Sequence, residues 1–174
     1  SYLGPIGSHT QEAADKKFGL NSRKIHSKTI KDVFLSVEQG ESDFGIVPLE
    51  NSIEGPVGET LDELLVSPVK TVGEFSRKIK HCLLSKQTEI NKIKIIYSHP
   101  QALAQSKRWV TNNMPDVILK ESSSTSEAAR IASKSPTTSS ISPDVCSKIY
   151  NLNILNNSIN DDKNKTTIFI LIYR

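Results

Sequence analysis

The chain has 174 residues, with 22 Lys and Arg against 19 Asp and Glu, which gives a formal charge of +3 at pH 7. This surplus is too small to indicate a nucleic-acid partner by itself, and the basic residues do not cluster. With 36% hydrophobic residues, 8 Gly and 8 Pro, the composition excludes collagen-like, coiled-coil and low-complexity proteins. No apolar run approaches the roughly 18 residues that a membrane-spanning helix needs.

The two cysteines and the start of the chain bear on its compartment. Cys82 lies in an apolar run with Leu83 and Leu84, so we expect buried free thiols rather than a disulfide with Cys146. The first residues contain no basic stretch followed by an apolar stretch, as a secretory signal would. The sequence therefore predicts a cytoplasmic protein.

The first half of the chain predicts helices and strands in alternation. Ser8 is a good N-cap for a helix that follows it, and residues 44–49 form a short apolar run typical of a buried strand. Residues 58–65 have the spacing of an amphipathic helix. Two strand-like stretches follow, around 69–72 and 79–84.

The second half continues the alternation and ends in a long apolar strand. The predicted elements are, in order, a strand over 93–98, a helix after Pro100 that includes Trp109, a strand over 117–119, a helix capped at 124–126, a strand over 139–141 and a helix from Pro143 to Tyr150. Residues 167–173 are almost continuously apolar, which predicts a strand covered on both faces. The whole pattern predicts an α/β fold with a mainly parallel sheet.

Five polar clusters interrupt these elements, at residues 4–10, 50–55, 98–105, 122–126 and 164–167. Each alone could be an ordinary turn or helix cap. In α/β folds, however, ligands bind beyond the carboxyl ends of strands, where several of these clusters are predicted to lie. Their amides, hydroxyls and helix N-termini suit an anionic small molecule and can stabilise charge that develops during a reaction.

Several common kinds of site are missing from the sequence. There is no Gly-x-Gly-x-x-Gly, no Walker loop and no Cys/His pair at metal spacing, so we expect no cofactor and no metal. His81 lies in an apolar run, where a histidine is usually a hydrogen-bonded core residue. Without a His–carboxylate–Ser arrangement, nucleophilic acyl transfer is not expected.

Three long segments and several shorter ones resemble prephenate dehydratases. The long segments are Tyr2-Leu3-Gly4-Pro5-x-Gly7-Ser8, Val47-Pro48-x-Glu50-Asn51-Ser52-Ile53-Glu54-Gly55 and Ser98-His99-Pro100-Gln101-Ala102-Leu103-Ala104-Gln105. Shorter segments that fit in the same order include His81-Cys82-Leu83-Leu84 and Ser124-Thr125-Ser126-Glu127-Ala128-Ala129. The resemblance covers nearly the whole chain.

The resemblance implies a fold and a reaction. The fold is two α/β lobes similar to a type II periplasmic binding protein, with the active site in the interlobe cleft. Lobe one would be about 1–74 and 155–174, and lobe two about 75–154. The reaction is that of a carbon–oxygen lyase, which converts prephenate to phenylpyruvate in phenylalanine biosynthesis. Relatives usually form homodimers or higher homo-oligomers.

The same resemblance assigns site residues. The catalytic set is Thr167, with Thr166 as the alternative in a register shifted by one residue, together with Asn51, Ser98, Gln105 and Glu50. The substrate-binding set is Ser8, Ser52, Gln101, Ser124, Thr125 and Phe169. Thr167 would donate a hydrogen bond to the leaving hydroxyl.

Two departures from the family pattern affect these expectations. Where the family has Thr-Arg-Phe, this chain has Thr167-Ile168-Phe169, and Ile168 cannot provide the bidentate grip that an arginine offers a carboxylate. We therefore expect weaker substrate binding, improved by an arginine at position 168; Lys163 or Lys165 could supply a less well-placed charge. The chain also ends after the last catalytic strand, so we expect no ACT regulatory domain and no phenylalanine feedback through it.

Three alternatives remain open. An arogenate dehydratase would share the motifs and accept an amino group in place of the keto oxygen. A small-anion binding protein without catalytic activity would share the fold and fits the missing arginine. A nucleic-acid module has only the pI of about 8.8 in its favour, with no aromatic platform.

Overall fold

Two β-sheets organise the chain, and the computed structural model describes all of residues 1–174. The elements are β1 (Tyr2–Leu3), α1 (His9–Phe18), β2 (His26–Ser27), α2 (Ile30–Glu38), β3 (Phe44–Asn51), β4 (Gly55–Pro56), α3 (Gly58–Val66), β5 (Lys70–Lys78), β6 (Cys82–Ser85), β7 (Ile95–Ser98), α4 (Pro100–Gln105), α5 (Lys107–Asn113), β8 (Ile118–Glu121), α6 (Thr125–Ala132), β9 (Thr138–Ser142), α7 (Val145–Tyr150), β10 (Asn153–Asn156) and β11 (Thr166–Tyr173). A short 3₁₀ helix spans Ile90–Lys92.

The first unit consists of Ser1–Ile79 and Asn164–Arg174. Its sheet has the strand order β2-β1-β3-β11-β5, with β4 paired to β3. The pairs of β1 with β2 and β3 are parallel, whereas β11 runs antiparallel to both β3 and β5.

The second unit consists of Lys80–Lys163. Its sheet has the order β10-β6-β9-β7-β8, in which β7 is parallel to β8 and β9, and β6 is antiparallel to β9 and β10. Leu83, Ile96 and Ile141 are fully buried in its core. Cys82 and Cys146 are free and buried in a neighbouring cluster, as predicted.

Strand direction differs from the sequence prediction. The expectation of a mainly parallel sheet is wrong, because each of the two sheets mixes parallel and antiparallel pairs. Alternating helix and strand patterns report local structure but not the direction in which a returning strand such as β11 inserts. The units divide at 79/80 and 163/164 rather than near 74/75 and 154/155, because β5 continues to Lys78 and β10 pairs with β6.

Several local predictions are confirmed. The Ser8 hydroxyl caps α1 by accepting from the Gln11 N–H, and the Ser124 hydroxyl caps α6 by accepting from Glu127. In β11, Phe169 packs on one face of the sheet and Ile170 on the other, so this apolar strand is covered on both sides.

Two features were not expected from the sequence. Helix α2 has no predicted counterpart, although Thr29 and Asp32 form a reciprocal capping box at its start. The helix predicted after Pro100 is two helices, α4 and α5, which meet at Ser106. None of the helices combines the length and apolar character that crossing a membrane would require.

Candidate functional site

Thr167 lies in the middle of a row of three polar side chains on the sheet of the first unit. It is directly opposite Asn51 of β3 on one side and Arg77 of β5 on the other. Residues directly opposite each other in neighbouring strands project from the same face. Phe169, two residues further along β11, packs with Ala13 and Ala14 of α1. The row is therefore on the face that α1 covers.

A β-bulge puts Asn51 into this row. The register of β3 against β11 runs from Ile168 opposite Glu50 to Phe169 opposite Pro48, which leaves Leu49 as an extra residue. Without it, the alternation of side chains would turn Asn51 to the face that carries Val47 and helix α2. Bulges re-aim side chains in this way, often beside functional sites.

The hydroxyl of Thr167 makes no hydrogen bond to another protein group, although the residue is only 8% exposed. It can therefore donate to a ligand without giving up an existing bond. Thr166 faces the other way, because successive strand residues project from opposite faces. Its backbone is held by Ser52, whose N–H donates to the Thr166 carbonyl at 3.0 Å and whose Oγ accepts from the Thr166 N–H at 3.1 Å.

Asn51 and Glu50 project from opposite faces of the sheet. The Asn51 Oδ1 accepts from the Ile53 N–H at 2.9 Å and from the Glu54 N–H at 3.3 Å, and its Nδ2 donates to Glu54 Oε2 at 3.3 Å. The side chain thus holds the turn after β3. Glu50 is exposed and lies opposite Ile168, on the face away from Thr167.

Ser8 and Phe169 both have structural contacts. Besides capping α1, the Ser8 hydroxyl donates to the Leu3 carbonyl at 3.1 Å, so both its donor and acceptor are occupied. Phe169 is 1% exposed and stacks against Phe75 with ring centroids 5.8 Å apart. The structure places Phe169 in the core, two residues from Thr167 on the same face of β11.

A charged cluster adjoins the row and was not anticipated from the sequence. Glu12 of α1 accepts from Arg77 Nη2 at 2.9 Å and from Lys16 Nζ at 3.3 Å, and His9 Nδ1 lies 3.6 Å from its other oxygen. Burial alone would raise the pKa of Glu12, but hydrogen bonding and charge from His9, with the charge of Arg77, outweigh it and lower that pKa.

Lys165 is a second cation near Thr167 in sequence. It is 5% exposed, and its carbonyl accepts from the Ile79 N–H at 2.9 Å. Burial lowers the pKa of its ammonium, against an opposing attraction from Glu54. Lys163, the other lysine considered at this point of the sequence, is exposed and belongs to the second unit.

In the second unit, Ser98 and Gln105 have protein partners. Ser98 is fully buried at the end of β7, and its Oγ donates to the Ile141 carbonyl of β9 at 2.6 Å. Gln105 Oε1 lies 2.9 Å from His81 Nε2, and the Gln105 carbonyl accepts from the Asp161 N–H at 2.8 Å. His81 is buried, as predicted for a core histidine, and its contact with Gln105 is an addition to that prediction.

Ser124 and Thr125 begin α6 at the edge where the parallel strands β7, β8 and β9 end. Ser142, the last residue of β9, donates through Oγ to the Thr125 carbonyl at 2.6 Å and fixes the start of the helix. The Thr125 hydroxyl and the Gln101 side-chain amide make no hydrogen bond to another protein group, whereas the Gln101 backbone N–H donates to His99 Nδ1 at 3.3 Å. Carboxyl ends of parallel strands are the usual place for ligands in such sheets.

The predicted site residues therefore form two sets, one in each unit. The first unit contains Ser8, Glu50, Asn51, Ser52, Thr166, Thr167 and Phe169, and the second contains Ser98, Gln101, Gln105, Ser124 and Thr125. No group of three or more His, Cys, Asp or Glu is arranged to hold a metal ion. A cavity of about 420 Å³ in the first unit, beside Phe18, Arg23 and Phe44, includes none of these residues.

The fold and these polar groups define a mixed α/β protein of two units, with hydroxyl and amide groups at strand ends in each. The chain belongs to the prephenate dehydratase family, whose model matches residues 1–174.

Individual relatives agree with this assignment. The chain is 40% identical over 172 residues to a bifunctional chorismate mutase/prephenate dehydratase of Aquifex aeolicus, with 99% of the chain and 48% of that protein covered. It therefore spans about half the length of this relative. The crystal structure of a prephenate dehydratase from Arthrobacter aurescens in complex with L-Phe matches with a TM-score of 0.85 and 30% identity, over 99% of this chain and 59% of that one.

A third comparison concerns the fold alone. A structure described as GqqA, a novel type of quorum quenching acylase, matches with a TM-score of 0.89 and 21% identity, over 99% of this chain and 62% of that one. The fold is thus shared with a protein that is described as an acylase and not as a prephenate dehydratase. The assignment of an activity depends on the residues of the site.

Proposed function

We propose that this chain catalyses the decarboxylative dehydration of prephenate to phenylpyruvate, the reaction of a carbon–oxygen lyase in phenylalanine biosynthesis. Family membership over residues 1–174 supports the reaction class. The observation that carries the residue assignment is Thr167, which combines a hydroxyl without a protein partner with a place beside Asn51 and Arg77.

The reaction needs few protein groups. The bond between the ring and its carboxylate breaks and releases CO₂, and the electron pair moves through the ring and expels the hydroxyl on the opposite ring carbon. That hydroxyl takes one proton and leaves as water, and the ring becomes aromatic. Because aromatisation drives the reaction, the protein has to stabilise the departing oxygen and hold the substrate in place.

Thr167 is suited to the departing oxygen. A hydroxyl donor that is already in position stabilises charge on the oxygen as the C–O bond lengthens, without reorganisation during the reaction. The proton that completes the water molecule can come from solvent. Asn51, held by its bonds to residues 53 and 54, forms a rigid polar neighbour on the same face.

The second unit has polar groups of its own at the strand ends. Thr125 is at the N-terminus of α6 and has a hydroxyl free for a ligand, while Gln105 is oriented by His81. N–H groups at a helix start and neutral donors are suited to carboxylate oxygens. Under this proposal Ser98 acts through the backbone of β9, to which its hydroxyl is bonded, rather than on substrate directly.

The test is an ultraviolet assay of phenylpyruvate formation with wild type, Thr167→Ala and Thr166→Ala. We expect Thr167→Ala to lower kcat by about 10²- to 10³-fold, the usual cost of one pre-organised donor, and Thr167→Ser to recover most of that loss. Thr166→Ala, the matched control on the opposite face, should stay within about 3-fold of wild type, since it removes no such donor.

Two outcomes would contradict the proposal. If wild type forms no phenylpyruvate, the activity is wrong, and formation of phenylalanine from arogenate, measured by chromatography, would replace prephenate by its amino analogue. If Thr166→Ala is the damaging substitution, the catalytic hydroxyl is the neighbouring one and the row on the α1 face is not the site.

We further propose that the chain acts in the cytoplasm as a homodimer or higher homo-oligomer, in keeping with its biosynthetic family. Light scattering coupled to size-exclusion chromatography measures the assembly directly, and a mass of about one chain would contradict it.

A further inference from the structure

We propose that Arg77, on β5, is the residue that binds the side-chain carboxylate of the substrate. This inference rests on the proposed function and extends it to the residue that anchors the substrate. It arises from strand register, since Arg77 is far from Thr167 in sequence but directly opposite it in the sheet.

The strand register places Arg77 beside Thr167, the proposed donor to the leaving oxygen. Arg77, Thr167 and Asn51 occupy three adjacent strands on one face, a row about 10 Å across at the usual strand spacing. An anion whose carboxylate binds Arg77, at one end of this row, would extend toward Thr167 in the middle of the row. An anchor at one end and a hydroxyl donor in the middle match a substrate with a carboxylate at one end and a leaving oxygen away from it.

Arg77 also retains the capacity to bind an anion. Its only protein partner is Glu12, which accepts from one nitrogen, Nη2, at 2.9 Å. The guanidinium has five N–H donors in a fixed planar fork, so the others remain available for a carboxylate. Its side chain is 16% exposed, so it is largely shielded from solvent without being fully buried.

The surrounding charge favours an anion. Arg77 and Lys16 both contact the single carboxylate of Glu12, so these three groups together carry one net positive charge even when His9 is neutral. Glu12 holds the guanidinium in a defined orientation and lowers the entropy lost on binding. Lys165 is the less favoured anchor, because it is buried beside Glu54.

The reaction decides which carboxylate Arg77 holds. The ring carboxylate leaves as neutral CO₂, and a cation fixed on it would stabilise the starting charge and oppose decarboxylation. The side-chain carboxylate keeps its charge from substrate to product. A permanent anchor belongs on that group, and the product phenylpyruvate therefore keeps the contact.

The experiment compares Arg77→Leu with Lys78→Leu, the same change of charge on the next residue of β5, whose side chain is exposed on the opposite face. The readouts are kcat and KM for prephenate and, independently of turnover, the Kd of phenylpyruvate by titration calorimetry. We expect Arg77→Leu to raise both KM and Kd by about 10- to 100-fold while kcat changes by less than about 3-fold. Lys78→Leu should leave all three within about 2-fold, since an exposed charge on the far face is screened.

Several outcomes would overturn the assignment. These are an unchanged Kd and KM in a folded Arg77→Leu, equal effects of the two leucine variants, or a raised KM with an unchanged Kd for phenylpyruvate, which would put Arg77 on the ring carboxylate. Should Arg77→Leu not fold, Arg77→Lys keeps the charge but loses the fork; an increase of about 3- to 10-fold in Kd supports the assignment and an unchanged Kd contradicts it.

The experiment separates this inference from the proposed function. Binding of phenylpyruvate that depends on Arg77, without conversion of prephenate by wild type, would refute the activity and support the anchor. Conversion of prephenate that is insensitive to Arg77 would refute the anchor and leave the activity in place.

Discussion

Asn51 and Thr167 face each other across two antiparallel strands only because β3 contains one residue more than β11 needs. The extra residue, Leu49, packs with the cluster on the α2 side, and the alternation of side chains starts again after it. The proposed functional pair is thus created by an irregularity in strand pairing, which sheets commonly use to redirect a side chain.

The same alternation changes what is expected of an arginine at position 168. The sequence alone suggested that Ile168→Arg would restore a missing grip on the substrate. In the structure Ile168 is opposite Glu50 and Ser76, on the face away from Thr167. We now expect Ile168→Arg to leave kcat/KM for prephenate within about 2-fold, because the new guanidinium would pair with Glu50 at little net gain. A gain of about tenfold or more, measured by steady-state kinetics, would mean that the substrate reaches this face.

Ser98 and Ser139 are both fully buried serines at the sheet of the second unit, yet their hydroxyls differ. The Ser98 hydroxyl donates to the Ile141 carbonyl at 2.6 Å, whereas the Ser139 hydroxyl has no hydrogen-bond partner. We expect Ser98→Ala to lower the free energy of unfolding by about 1–2 kcal/mol, since it leaves a buried carbonyl without its donor. Ser139→Ala should be neutral or stabilising by about 1 kcal/mol, because it removes an unsatisfied buried hydroxyl.

Urea unfolding monitored by circular dichroism measures this difference. If the two alanine variants changed the free energy of unfolding equally, the hydrogen bond of Ser98 would make no net contribution to stability. The kinetics of Ser98→Ala separate its roles: a kcat within about 5-fold of wild type fits a positioning role, and a loss of about 10²-fold would indicate direct action on substrate.

The contacts of Glu12 should make the free energy of unfolding sensitive to acid. Because the folded protein lowers the pKa of Glu12 below its ordinary value of 4.5, the stabilisation by its contacts is complete above that value and is lost as pH falls through the folded-state pKa. We expect Glu12→Gln to lower the free energy of unfolding at neutral pH by about 1–2 kcal/mol, as for a partly buried charged hydrogen bond.

The pH profile checks the sign of this effect. The difference in unfolding free energy between wild type and Glu12→Gln should shrink as pH falls below the ordinary value of 4.5. Glu127→Gln, which removes an exposed carboxylate bonded to Arg130, is the matched control and should give a much smaller difference at every pH. A difference that stays constant or grows as pH falls below 4.5 would contradict the lowered pKa.

The sequence predicted local features of the fold well because their causes are local. Ser8 and Ser124 are capping residues with helical sequences behind them, and the apolar run 167–173 has to be buried on both faces. The mixed direction of the strands could not be predicted in this way. It depends on β11 entering the sheet between β3 and β5, a pairing of segments distant in the chain.

The residues of the candidate site likewise divide into those that a local sequence signal identifies and those that it does not. Family segments point to Asn51, Ser98, Gln105 and a threonine near 167, because these segments are contiguous. Arg77 carries no local signal: its relation to Thr167 exists only through strand register, and its relation to Glu12 only through the packing of α1 on the sheet. The one-residue ambiguity between Thr166 and Thr167 likewise becomes a structural difference only once the two faces of β11 are known.

Gly45 illustrates how tightly the sheet of the first unit is packed against α2. It is directly opposite Ile172, and a Cβ added at Gly45 would come within 2.8 Å of Ile172 Cγ1 and 2.9 Å of Val33 Cγ1. Both neighbours are fully buried, so neither can move aside without disturbing the core. We expect Gly45→Ala to lower the free energy of unfolding by about 1–3 kcal/mol, as overpacked cores do.

Gly58 is the matched control for this substitution. It is the first residue of α3, and a Cβ there would meet no atom within 4 Å. Gly58→Ala should therefore be neutral or stabilise the fold by up to about 1 kcal/mol, since alanine restricts the unfolded chain and favours the helix. Thermal unfolding should separate the two variants by about 2–16 °C at this chain length. An alanine at position 45 that leaves Tm unchanged would show that α2 can shift away from the sheet.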